Sequence, residues 1–113
     1  MAIASFVQEG NRIDYVPGAD VSVGDVIVAG DLVGVVQMDI ASGQLGSLAV
    51  AGVYDFPKAT GASTAIAIGA LVYWDIADVE AKIDDESGAN KLIGKVIAAA
   101  DDDDLTVRVR LSQ

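Results

Sequence analysis

The chain contains no cysteine and no histidine. The first absence excludes disulfides and thiolate zinc sites, and the second removes the other common zinc ligand. Together they take away the two commonest nucleophile and base side chains, which favours a protein that binds and holds. Basic residues are few. Seven Lys and Arg stand against 17 Asp and Glu, for a net charge of −10. Scattered cations in an acidic chain cannot release the counterions that drive nucleic-acid binding, so no nucleic-acid partner is expected. Only six of the 113 residues are aromatic, so Ala, Val, Ile and Leu must fill the core. The longest uncharged run, residues 59–74, is rich in Gly, Ala, Ser and Thr and is shorter than a membrane span. Residues 1–8 have no basic n-region, so no export signal is expected and synthesis in the cytoplasm is.

What is present reads as β-structure. A chain of 113 residues is one domain. Arg12-Ile13-Asp14-Tyr15-Val16 alternates with period two and ends at the turn pair Pro17-Gly18. Val26-Ile27-Val28 follows, then the turn Gly30-Asp31. Leu32-Val33-Gly34-Val35-Val36 is a continuous apolar run, which predicts a strand buried on both faces. Residues 48–54 read as one further strand, residues 71–74 as another, and residues 79–83 as a short one. Residues 92–98 and 105–111 form an antiparallel pair across the turn Asp101-Asp102-Asp103-Asp104. Residues 59–68 are the one place that admits a short helix, although glycine and β-branched residues weaken it. The expected fold is all-β: a small barrel or sandwich of short antiparallel strands over residues 9–113. Residues 1–8, uncharged and partly apolar, form either an arm reaching a partner or an edge strand of the same fold.

The last strand has the cleanest pattern. Leu105, Val107, Val109 and Leu111 face a core, and Thr106, Arg108, Arg110 and Ser112 face away. Two arginines on one face of an acidic protein need acidic partners, from neighbouring strands or from another subunit. Tyr73 and Trp74 point to opposite faces of their strand, one into the core and one to a surface or interface. Val23-Gly24-Asp25-Val26 with Leu32-Val33-Gly34-Val35-Val36 is echoed by Ile68-Gly69-Ala70-Leu71 with Leu92-Ile93-Gly94-Lys95-Val96. This is either two related β-units or coincidence among Gly/Val-rich strands.

Catalytic patterns fail on inspection. Between Gly88 and Gly94 lie five residues where a phosphate loop has four, and Val96 stands where Ser or Thr would hold magnesium. Ser87 and Lys91 are one residue too far apart for a Ser-x-x-Lys pair. The acidic run at 101–104 lacks the alternating ligands, glycine and distal Glu of a calcium loop, so it reads first as a solvated hairpin tip. No catalytic residue, metal site or cofactor is assigned.

In the order and spacing of these segments the chain resembles the capsid cement, or head decoration, proteins of tailed phages and prophages. The residues that carry the resemblance are Val23-Gly24-Asp25, Leu32-Val33-Gly34-Val35, Gly52-Val53-Tyr54 with Pro57-Lys58, Gly69 with Tyr73-Trp74-Asp75, Leu92-Ile93-Gly94 before Ala98-Ala99-Ala100, and Val107-Arg108-Val109-Arg110-Leu111. The resemblance implies a structural virion protein on the outer surface of an icosahedral head. It would be a homotrimer that binds the major capsid protein and clamps the shell, made in the host cytoplasm, with no cofactor, no membrane and no catalysis. By analogy the arm binds the capsid through Ile3, Phe6 and Val7. Trp74, Arg108 and Arg110 are the expected subunit-interface residues. Relatives of such sequences sometimes carry a recombinase label, which the missing phosphate loop and basic groove oppose. The alternative reading is a non-catalytic β-domain binding a small ligand or glycan, for which Trp74 is the only support.

Overall fold

Apolar runs bounded by Gly and Asp turns give short antiparallel strands, and the computed structural model, which describes residues 3–5 and 10–112, is built from them. The strands are β1 Arg12–Tyr15, β2 Val26–Ala29, β3 Leu32–Val36, β4 Gly46–Ala49, β5 Gly52–Pro57, β6 Leu71–Asp75, β7 Glu80–Lys82, β8 Lys91–Ala98 and β9 Thr106–Leu111. One 3₁₀ turn, Glu86–Gly88, precedes β8. They form a four-stranded sheet in the order β1-β4-β3-β2 and a five-stranded sheet in the order β5-β9-β8-β6-β7. Every pairing within the sheets is antiparallel. The architecture is a β-sandwich, not a closed barrel.

β3 explains why the sheets stack. Its alternate residues Val33 and Val35 enter the main core with Phe56, Val72, Trp74, Ile93, Val107 and Val109 of the second sheet. Val36, next in the strand, joins Ile40 and Leu48 in a smaller cluster on the other face of the first sheet. The strand is therefore buried on both faces, as its unbroken apolar run requires. Polar ties close the stack: the Gln37 amide donates to the Tyr54 hydroxyl. The Lys91 ammonium reaches Asp31 in the β2–β3 turn at 2.9 Å.

The internal echo is structural. Gly24 and Gly69 both take positive φ, at 90° and 84°. Gly24 N donates to Val36 O at 2.8 Å, and Gly69 N donates to Val96 O at 2.7 Å. Ile27 then faces Gly34 as Val72 faces Gly94. The unit β2-β3-β4 of one sheet thus matches β6-β8-β9 of the other, with β7 inserted in the second copy.

Three expectations change. Residues 48–54 are not one strand: β4 ends at Ala49, and the chain crosses to the second sheet, entering β5 at Gly52 with φ 115°. Residues 59–68 contain no helix. Gly61 and Ser63 take positive φ, and the N–H groups of Thr64 and Ala65 donate to the Asp102 carboxylate instead of to a helical carbonyl. Leu105 precedes β9 and is 75% exposed, because the turn has not yet delivered the chain to the core.

Candidate functional site

In the N-terminal segment Ile3 is 95% exposed, and residues 3–5 lie in no strand. Phe6 and Val7 lie outside the described residues. An isoleucine held almost wholly in water gains nothing for the protomer that carries it, since only removal from water stabilises an apolar side chain.

The outward face of the five-stranded sheet contains Arg108 and Arg110. Val107, Val109 and Leu111 are buried, and Thr106, Arg108 and Arg110 are exposed. Arg108 is answered within the chain. Asp55 lies directly opposite it in β5 and accepts from Nε at 2.9 Å and from one terminal nitrogen at 3.2 Å. The guanidinium holds the Asp55 carboxyl below its ordinary range, and the carboxylate raises Arg108. Arg110 has no such partner. Its neighbour in β8 is Lys95, and neither side chain makes an ion pair among the described residues. Lys95 escaped the sequence reading because its position beside Arg110 depends on a strand register.

Trp74 is corrected. It is 5% exposed and packs on Phe56 with ring centroids 5.9 Å apart, so its indole belongs to the protomer's own core and not to a subunit interface. Val72 and Trp74 share the core face of β6, and Tyr73 is the aromatic turned outward, half-buried opposite Lys82.

Lys58 was not singled out as a site residue, yet it organises the acidic turn. The residue is only 5% exposed. Its ammonium donates to the backbone carbonyls of Ala59 at 2.7 Å, Asp101 at 2.9 Å, Asp104 at 3.2 Å and Asp102 at 3.4 Å, with Thr64 Oγ1 also at 3.4 Å. The turn's carboxylates point elsewhere. Asp102 accepts from Thr64 N and Ala65 N, and Asp104 accepts from Asp101 N at 2.8 Å. The run at 101–104 is therefore more than a solvated tip: its backbone carbonyls hold the chain's own lysine. The proximity of Pro57-Lys58 to four consecutive acids in space was the missing signal.

The β6–β7 hairpin has a second charged centre. Lys82 pairs with Asp75 at 2.8 Å and with Asp78. The hydrogen bond from Lys82, then that from Asp78 N, holds the Asp75 carboxyl below its ordinary 3.8, and Asp75 first among its partners pushes Lys82 above the ordinary lysine range. A lowered carboxyl contributes stability that is complete above its unfolded value and lost as pH falls through its folded one. A raised amine contributes stability that is complete below its unfolded value and lost only as pH rises through its folded one. The melting temperature is accordingly expected to stay level from about pH 5 to about pH 9 and to fall below about pH 4, since no histidine titrates between. Asp75→Asn should shallow the acid limb in a melting series, and a marked loss between pH 5 and 8 would contradict the assignment.

The residues of the failed phosphate-loop pattern are divided between the 3₁₀ turn and the middle of β8, with Lys95 pointing out of a strand. Among the described residues no group of three or more acidic side chains is arranged to hold a metal, and no helix is long and apolar enough to cross a membrane.

No curated protein and no solved structure matches the chain. A family model described as phage cement protein matches residues 7–111, nearly the full length and including every strand described above. The chain belongs to the phage cement protein family, and its role is structural, at the phage capsid.

Proposed function

We propose that this protein coats the outer surface of a tailed-phage head by binding the major capsid protein, acts as a homotrimer, and carries out no catalysis. The family match across residues 7–111 is the observation that carries the reading. The mechanism is mass action. A ligand that binds the assembled, expanded shell and not its separated subunits stabilises the shell. Weak individual contacts suffice, because copies held together by self-association bind a repeating lattice with avidity. The protein is made in the host cytoplasm and ends on the virion exterior.

Residues 1–8 are the proposed capsid-binding arm, with Ile3, Phe6 and Val7 as its apolar anchors, and residues 9–113 are the domain that displays it. The near-complete exposure of Ile3 supports this reading. Arg108 and Arg110 are the proposed subunit contacts, and Arg110, which makes no ion pair among the described residues, is the stronger of the two. Deleting residues 2–8 is expected to leave the melting transition in place and to abolish binding to expanded, undecorated capsids. A truncated chain that still saturates such capsids would remove the arm from the account.

A further inference from the structure

Lys95 and Arg110 face each other across β8 and β9 on the open side of the five-stranded sheet, and the row extends to Val53 in β5 and Leu71 in β6. All four side chains are exposed. Directly opposed like charges are unfavourable in a sheet. This pair persists in a chain of net charge −10 with 17 acids available, and none of the described ones is placed to neutralise it. The cations are bracketed by the exposed apolar side chains Val53 and Leu71.

A complementary surface lies on the other sheet of the same chain. A groove of about 510 Å³ at the β1–β4 edge is lined by Asp14, Met38, Asp39, Gln44 and Leu45, among others. Met38 and Leu45 are exposed, as are the two carboxylate residues. Asp39 uses one oxygen to accept from Val23 N at 2.9 Å, so its place in the groove is fixed. One surface therefore offers two cations with two apolar side chains, and the other offers two carboxylates with two apolar side chains.

We infer that the Val53-Arg110-Lys95-Leu71 row of one copy docks into the Asp14–Met38–Asp39–Leu45 groove of the next. The occupant of the row is a second copy of this chain. Two such rows cannot meet face to face, because that would stack cation on cation, so the contact is head-to-tail. Head-to-tail contacts close into rings when the rotation allows. The inference deepens the self-association proposed above and rests on it.

The test is the association state of the full chain by sedimentation velocity and light scattering over a range of concentration and salt. The wild-type protein should self-associate, more weakly at high salt. Lys95→Glu with Arg110→Glu should weaken association more than ~10-fold, as should Asp14→Lys with Gln44→Lys, and all four together should restore it. Arg110→Thr covers the case in which the glutamates unfold the sheet. It relieves the like-charge pair, so the isolated protein should melt no lower than wild type while associating less. A wild-type chain that stays monomeric at every soluble concentration overturns the inference, as does a Lys95/Arg110 variant that associates like wild type. The same variants are pelleted with expanded capsids. Loss of association with residual shell binding supports the inference and leaves the cement reading standing. Intact association with lost shell binding overturns the inference and gives the row to the capsid.

Discussion

Lys58→Met is expected to destabilise the protein by about 3 kcal/mol and to lower its melting temperature by more than ~10 °C. Methionine matches the length of the lysine stem, so packing along the stem is largely kept. What is lost is the ammonium, whose three N–H groups serve the carbonyls of Ala59, Asp101 and Asp104 at 2.7, 2.9 and 3.2 Å. A hydrogen bond to a charged group contributes about 1.5–3 kcal/mol, and acceptors left buried without a donor add their own desolvation cost. The loss is local as well as global. Residues 58–66 and 101–104 are held to each other through this group, through Gly61 N on Asp102 O at 3.0 Å, and through the bridge from Ile66 to Ala100. Amide exchange in both segments should rise first. Asp103→Asn, at an exposed position, is the control and should leave the melt within ~1 °C. A Lys58→Met protein that melts with wild type would show that the carbonyl cage holds nothing together.

Gly94→Ala is expected to be at least as damaging, at about 3 kcal/mol or more, although it adds a single methyl group. A Cβ at Gly94 would stand 1.9 Å from Arg110 O and 2.8 Å from Ser112 N. Both are backbone atoms of or beside β9 and cannot swing aside. Relief requires β8 and β9 to separate, in the middle of the sheet and beside Val96 and Val109 of the core. Gly34 is the internal comparison, because it occupies the equivalent place in the first sheet. There the added Cβ would stand 3.0 Å and 3.1 Å from side-chain atoms of Leu48, and 3.3 Å from Ala49 O. These contacts are tight but are relieved by shifts of a few tenths of an ångström, whereas 1.9 Å from a backbone oxygen is not, so Gly34→Ala should cost distinctly less. Denaturant unfolding of the two variants side by side reads the difference, and equal midpoints would contradict the packing described here.

The parts of this fold that a reader of the sequence can see are those governed by side-chain alternation. β3 is visible as an unbroken apolar run because both of its faces are covered, and β9 is visible because Val107, Val109 and Leu111 alternate with Thr106, Arg108 and Arg110. The repeat of β2–β3 in β6–β8 was visible as an echo, and only the matching hydrogen bonds of Gly24 and Gly69 decide that it is more than coincidence. Periodicity does not mark the crossing between sheets at residues 50–52, because the apolar run continues through it while the backbone leaves one strand and enters the next at a positive φ of Gly52. Trp74 illustrates the same limit. The sequence says that it and Tyr73 face opposite ways, and the choice of face depends on which side of β6 the first sheet covers. Lys58 and the Lys95–Arg110 pair were illegible for a related reason. One is made by a loop meeting a turn some forty residues later in the chain, and the other by a strand register. Neither leaves a periodic trace in a single sequence.

If this sandwich is a capsid cement, the purified full chain should co-sediment with expanded, undecorated capsids of the cognate phage. Pelleting should saturate at a fixed ratio to the major capsid protein, and the decorated shells should resist heat better than bare ones. A chain that remains in the supernatant while properly expanded shells pellet without it would contradict the account.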